Sequence, residues 1–375
     1  MKIAGIEIVE LRVPVDDVRF DGSYIGCVAR VTTDAGLTGI AECDGLPSVV
    51  KAIVEAPRIH AAATGLKTLL QGRDPADVAG LWDLMYERTF YVGRRGAMIH
   101  AISLIDIALW DLKGKAEGRS VADLLGPRRR TKVKAYGTIY PTGASPDEVR
   151  RNIDRGLAVG LRAIKVCGDV AWRDDPDLAI LVLTTAREHV GPNVDLMLDA
   201  ATAWTRPDQV MPVLPVLADC KYGWLEGALP PDDLAGIAGL HGLGVPIADG
   251  ETMTTRFELV DMIERARLDI VQPDASLAGG LTELARLRPL AADRGCHVVL
   301  HGYKSNLLIA TNLAFYASHD TAGPLEYSMS ESPLRRGLVK EKIPIDADGM
   351  VAIPVDRPGL GVTLDDAVIA KYRVG

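Results

Sequence analysis

The chain is short of positive charge, of paired cysteines and of long apolar runs, and each shortage removes a class of function. Its 42 Lys and Arg are outnumbered by 50 Asp and Glu, for a net charge near −8. General binding to nucleic acid or to an anionic membrane needs clustered cations, so neither is expected as a partner. The five cysteines (Cys27, Cys43, Cys167, Cys220 and Cys296) are an odd number, and no two form a C-x-x-C pair. That argues against a disulfide framework or a zinc site and suits a reducing cytoplasm. No apolar run is long enough to span a membrane. The opening "MKIAGIEIVELRV" alternates like a strand and does not read as a signal peptide. There is no G-x-x-x-x-G-K-[ST], no G-x-S-x-G and no H-E-x-x-H.

What is present is a globular composition. Of the 375 residues 48% are hydrophobic and 25% charged, material for one large or two ordinary domains. The first third alternates with period two in "KIAGIEIVELRVPV", "IGCVARVTTDAG" and "LTGIAECDG", which predicts strands with a turn at "DAG". "PADVAGLWDLMYERTF" and "GAMIHAISLIDIALWDLKGKAEG" then place apolar residues at i, i+3 and i+4, as helices do. Asp106 and Asp111 fall inside the second helix and read as structural: internal hydrogen bonds, and an i,i+4 pair from Asp111 to Lys115. "LLGPRRRTK" marks a boundary. Residues 1–125 are therefore expected to form an α+β capping domain, completed by a C-terminal segment at about 340–375.

Residues 126–339 read differently. Eight short apolar runs, "VKAYGTI", "RAIKVC", "VDLMLDA", "YGWLEG", "VPIADGE", "LDIVQPD", "HVVLHG" and "GPLEYS", alternate with helical stretches. That pattern predicts a (β/α)8 barrel of the TIM type, with an open doubly wound sheet as the rival. Seven of the runs end in an ionisable residue: Lys165, Asp199, Glu226, Glu251, Asp274, His301 and Glu326. From Asp199 onward the steps are 27, 25, 23, 27 and 25 residues, about one βα unit each. Single loop-bordering positions are often polar, but seven in succession after apolar runs place these groups around one barrel mouth.

Asp199, Glu226 and Glu251 would repel one another there, and a divalent cation removes that penalty. All-oxygen ligation favours Mg²⁺, with Mn²⁺ also compatible. Asp274 and His301 follow on adjacent strands; a carboxylate on one imidazole nitrogen fixes the tautomer and raises the basicity of the other.

In these motifs, and in "GRRGAMIHAISLIDIALWDLKGKAEGRSVADLLG", the sequence resembles the mandelate racemase / muconate lactonising enzyme branch of the enolase superfamily. The resemblance covers nearly the whole chain and implies a modified barrel with an α+β cap. It implies Mg²⁺ on Asp199, Glu226 and Glu251, a dyad of Asp274 with His301 as base, and Glu326 as the acid on the enediolate. Lys165 matches the first lysine of a K-x-K motif and is expected to stabilise the substrate carboxylate or enediolate by charge. Cys167 stands where the second lysine, the usual opposite-face base, would be. Gly227 and Ala228 replace a usual Glu-Pro, and Ala201 a common Asn.

With one base, β-elimination is the expected chemistry: a Mg²⁺-dependent dehydratase turning an aldonate or aldarate into a 2-keto-3-deoxy acid. An epimerase, racemase or lactone cycloisomerase on the same scaffold is the alternative, and a non-catalytic binding protein a third reading. Substrate contacts are expected from Arg19, Asp21, Tyr24 and Asp44 in the cap loops, from Lys304, and from Cys167 as a small side chain making room. The partner is a small carboxylate, and the resemblance implies a homo-oligomer, dimer or octamer.

Overall fold

The computed structural model describes residues 1–15, 22–139, 145–201, 203–319 and 323–374. The period-two segments at the start pair as expected: β1 (Ile3–Arg12) runs antiparallel to β2 (Ile25–Thr33), and β2 to β3 (Thr38–Cys43). The β2–β3 turn falls at "DAG", with Gly36 at φ +79°. A long helix, Ala97–Glu117, packs on β3 and on the barrel helix Gly280–Ala292, so it is buried on nearly every side. Contact with the sheet is close enough that a Cβ on Gly39 would lie 2.0 Å from the Ala108 carbonyl oxygen. The helix ends where Gly118 adopts the left-handed conformation, as the Gly after "KAE" predicts.

The two carboxylates inside this helix are staples. Asp111 pairs with Lys115 at 2.6 Å and accepts the amides of Ile40 (2.9 Å) and Leu360 (2.8 Å). Asp106 accepts the amide of Thr282 at 3.0 Å. Each satisfies donors that burial would otherwise strand.

All eight apolar runs after the boundary become parallel strands: β4 (Lys132–Ile139), β5 (Ala163–Cys167), β6 (Asp195–Asp199), β7 (Tyr222–Glu226), β8 (Ile247–Asp249), β9 (Ile270–Val271), β10 (His297–Val298) and β11 (Leu325–Ser328). Their order is β10-β9-β8-β7-β6-β5-β4-β11. The last strand thus lies beside the first, which a curled barrel sheet does and an open doubly wound sheet does not. Between β10 and β11 the described residues are linked by Gly323 N–H to the Val298 carbonyl at 3.4 Å. Helices such as Pro146–Ala158, Pro176–Val190 and Asn306–Ala317 follow their strands, started by the caps Ser145, Asp175 and Ser305.

The C-terminal segment touches the barrel as well as the cap. β12 (Met350–Ala352) pairs antiparallel with β4 of the barrel. Only beyond it does the chain return to the cap, where Arg373 bridges Leu11 and the Val374 amide reaches Glu10.

Inside the barrel one apolar layer fills the floor: Tyr136, Ala163, Met197, Trp224, Ala248, Ile270 and Val299. Side chains two residues apart on a strand share a face. The next inward positions are therefore Thr138, Lys165, Asp199, Glu226, Gly250, Gln272 and His301. Barrel geometry alone thus brings four of the ladder residues, Lys165, Asp199, Glu226 and His301, into one layer.

Candidate functional site

Lys165 is 1% exposed and sits among three carboxylates. Its Nζ is 2.7 Å from Glu226 Oε1, 3.0 Å from Glu326 Oε1 and 3.2 Å from Asp199 Oδ2. Burial opposes its charge, yet Glu226 and Glu326 hold it protonated well above the ordinary lysine range. The ammonium donates a hydrogen bond to Glu226 and pairs by charge with Glu326 and Asp199. As placed, Lys165 neutralises the protein's own anions.

Glu226 is fixed on all sides. Its Oε2 accepts from Trp224 Nε1 at 2.9 Å and Gln272 Nε2 at 2.8 Å. Burial pushes its pKa up to about 8; Lys165 opposes this, while Asp199, Glu326 and Glu251 add to it. Glu326 goes the other way. Burial would raise it, but Lys165, His301, Thr138 Oγ1 and the Gly302 amide bring it down to about 2. Held in this way, Glu326 is the one carboxylate of the cluster whose pKa is lowered.

Across the mouth, His301 Nδ1 is 2.8 Å from Asp274 Oδ2. Its Nε2 is 3.5 Å from Glu251 and 4.0 Å from Glu326. Burial lowers the imidazole pKa, but Glu251, Glu326 and Asp274 outweigh it and raise it well above the usual value. The structure thus brings His301, Asp274, Lys165, Glu326, Asp199, Glu226 and Glu251 into one connected cluster.

A cavity of about 270 Å³ opens beside it, lined by Asp199, Glu226, Asp249, Glu251 and Gln272 among others. Its donor set is all oxygen, which suits a hard divalent cation. Among the described residues no three His, Cys, Asp or Glu side chains close around one point as they stand. Glu226 is pinned, but the Asp199 and Glu251 side chains are 17% and 42% exposed and have room to turn toward an ion. The buried Gln272 Oε1 has no hydrogen-bond partner, one more oxygen left over at this wall. By this test the residues fit a cation.

Sequence reasoning missed Thr138, Asp249, Gln272 and Ser276. Thr138 and Gln272 were legible as the residues two beyond Tyr136 and Ile270 of the floor. Asp249 is pushed up to about 7 by burial, with Glu251 and Asp199 adding to it. Ser276 bonds Asp274 through both its amide and its hydroxyl, each at 2.6 Å.

The expected specificity residues divide. Lys304 and Asp44 do not stand free for a ligand: Lys304 Nζ is 2.8 Å from Asp44 Oδ1 and 3.2 Å from the Ile25 carbonyl. Tyr24 packs half-buried against the core. Cys167 is 2% exposed opposite Asp199 in the β5–β6 ladder, its thiol pushed well up by burial and then by Asp199. Trp204 is buried against Trp172, a packing role. Arg19 and Asp21 lie outside the described residues. Ala201 adopts φ +48°, a conformation Asn holds at less cost, while its amide donates to Asp199.

No helix among the described residues is long and apolar enough to cross a membrane. The chain is 30% identical over 365 residues to D-galactarolactone cycloisomerase of Agrobacterium fabrum, covering 92% of this chain and 91% of that one. It is 33% identical over 312 residues to arabinonate dehydratase of Saccharolobus solfataricus, covering 82% and 81%. The crystal structure of the 3,6-anhydro-D-galactonate cycloisomerase from Zobellia galactanivorans superposes with a TM-score of 0.89 at 26% identity over the full length of both chains. Residues 23–126 match the mandelate racemase / muconate lactonizing enzyme N-terminal domain, and residues 148–368 the enolase C-terminal domain-like family. With both halves of the chain accounted for, the protein belongs to the mandelate racemase / muconate lactonizing enzyme branch of the enolase superfamily.

Proposed function

We propose that the protein removes the proton α to the carboxylate of a sugar acid and eliminates the β-hydroxyl, giving a 2-keto-3-deoxy acid. The observation that carries this reading is an asymmetry of bases. One side of the mouth has an imidazole oriented by a buried carboxylate; the strand carrying Lys165 offers Cys167, a thiol that burial and Asp199 keep protonated. Racemisation needs a base on each face, and elimination needs one.

In this reading His301 Nε2 takes the α-proton while Nδ1–H stays on Asp274. The C–H electron pair moves into the carboxylate as an enediolate. Its collapse expels the β-oxygen, which leaves as water with the proton returned by His301, and the enol tautomerises to the ketone. Asp199, Glu226 and Glu251 would hold a divalent cation, expected to be Mg²⁺, which when bound supplies the positive charge that the developing enediolate requires. Lys165 opposes the burial that raises Glu226 and helps hold Asp199 and Glu226 in place.

The similarity to two cycloisomerases favours a second reading, in which the leaving oxygen belongs to a ring. In a 3,6-anhydro-galactonate the ring oxygen is on C3, β to the carboxylate, so the same deprotonation and elimination would open a ring and release no water. The test is a library of aldonates, aldarates and their lactones and anhydro forms, incubated with Mg²⁺ and read for 2-keto acid and mass. Loss of 18 mass units from an acyclic acid supports the dehydratase; a keto product of unchanged mass supports the cycloisomerase. Deuterium exchange in D₂O or epimer formation with no keto product overturns both.

A further inference from the structure

The oxygen of Asp274 that does not face His301 is the end of a chain of bonds that starts in the cap. The Asp44 amide donates to Ser276 Oγ at 3.0 Å. Ser276 Oγ in turn lies 2.6 Å from Asp274 Oδ1, which also takes the Ser276 amide. A hydroxyl has one proton. Asp274 Oδ1 accepts that proton, and Ser276 Oγ accepts from the Asp44 amide with a lone pair. Oδ1 is thus saturated, and Oδ2 is left to the imidazole N–H. Ser276 and Asp274 are both 0% exposed, so water does not substitute in this chain.

The cap side of the chain is fastened separately. Asp44 is paired with Lys304, which lies three residues beyond His301 and is itself buried. The Cys43 thiol donates to the Ser276 carbonyl at 3.2 Å. The loop 43–45 is thereby tied to the strand ends on both sides of the dyad, β9 through Ser276 and β10 through Lys304. A neighbouring staple, Glu42 Oε2 to the Ser305 amide (3.1 Å) and hydroxyl (2.5 Å), also joins cap to barrel but does not touch Asp274.

We propose that Ser276 is a positioning residue through which seating of the cap loop 43–45 orients the His301–Asp274 pair, with the Lys304–Asp44 ion pair as the latch. With the loop seated, the Ser276 proton is committed to Asp274 and the imidazole is held with Nε2 toward the mouth. With the loop displaced, the hydroxyl loses its fixed orientation and the dyad loosens. The imidazole is then held in one orientation only with the cap loop seated. Two residues read from the sequence as substrate contacts, Asp44 and Lys304, become parts of this device.

The consequence for catalysis rests on His301 being the base, so the experiment reads the imidazole without substrate. In ¹⁵N-histidine-labelled protein, the His301 Nδ1–H resonance is assigned by its loss in His301→Asn, and its exchange with water is measured. Ser276→Ala is expected to speed that exchange about 10- to 100-fold, the usual scale for loss of an orienting partner. Lys304→Met and Asp44→Asn, which act from the cap side and leave Ser276 in place, speed it less. Glu42→Gln lowers the melting temperature and leaves the exchange unchanged. Should Ser276→Ala not fold, the Lys304→Met result decides alone. Native exchange in a folded Ser276→Ala or in Lys304→Met overturns the proposal, as does an equal effect from Glu42→Gln. If no sugar acid is turned over but the exchange responds as described, the assigned reaction fails while the positioning role stands. Where a substrate is found, the same variants lower kcat and leave KM near the native value.

Discussion

The floor layer Tyr136, Ala163, Met197, Trp224, Ala248, Ile270 and Val299 and the layer just above it share strands, direction and burial, yet are held by opposite means. The floor is packed by shape: Tyr136 meets Trp224 edge-on at 5.4 Å, and nothing there is ionised. One step up, Lys165 is as buried as any floor residue but is held by three carboxylates. The two layers touch through single groups, the Trp224 indole on Glu226 and the Lys165 ammonium 5.6 Å from the Tyr136 ring. In this barrel, then, burial does not separate structure from chemistry. What separates them is whether a side chain's partners are neutral neighbours or charges that need one another.

The comparison can be broken at several points. His301→Asn should carry the largest effect on function, a loss of turnover of about 10²- to 10⁴-fold with the melting temperature nearly native; a matching loss of stability would put His301 with the scaffold. Lys165→Met should lower stability. Removing one partner of a buried ion cluster costs about 3–5 kcal/mol, read by urea unfolding. Unfolding within 1 kcal/mol of wild type (about a fivefold change in equilibrium) would show that the carboxylates do not need it. Trp224→Phe keeps the floor filled but removes the donor on Glu226, at about 1.5–3 kcal/mol for a bond to a charged group. If Trp224 matters only by shape, the cost is close to zero.

Acid unfolding sharpens the contrast between Glu326 and the floor beneath it. The folded protein holds the Glu326 proton more weakly, with a pKa of about 2 against 4.5 unperturbed. Its stabilising contribution is therefore complete above about pH 4.5 and is lost as the pH falls toward 2. Glu326→Gln should flatten the fall in stability over that window, and an unchanged slope would remove Glu326 from the balance. The smallest effect is expected for Cys167→Ala: about 1 kcal/mol of stability, with turnover retained. Complete loss of turnover would make the thiol a participant and defeat the argument from a single base.

Much of the architecture was written in short-range patterns. The eight strand runs, the turn before β3 and the ends of the helix Ala97–Glu117 each follow from spacing, and the ladder of ionisable groups follows from unit length. What pattern reading could not supply was partnership across the barrel. Lys165 meets Glu326 from 161 positions away and Lys304 meets Asp44 from 260, and nothing in the local sequence of either lysine encodes its partner. Lys165 was read as facing a ligand because a charge in an apolar run needs a reason, and Lys304 because it lies just past His301; the structure adds a carboxylate partner for each, Glu226 and Asp44. Thr138 and Gln272 were passed over because one polar residue in a strand looks like noise until the floor layer shows which face it shares. β12 was missed because three residues are too few to show a period.

Asp111 also sets an order of events in time. Its carboxylate takes one amide from residue 40 and another from residue 360, so the same side chain waits on both ends of the chain. During synthesis the cap sheet and its helix emerge first, but their buried carboxylate lacks its second amide until the whole barrel has been made. The cap is therefore translated before the barrel and finished after it.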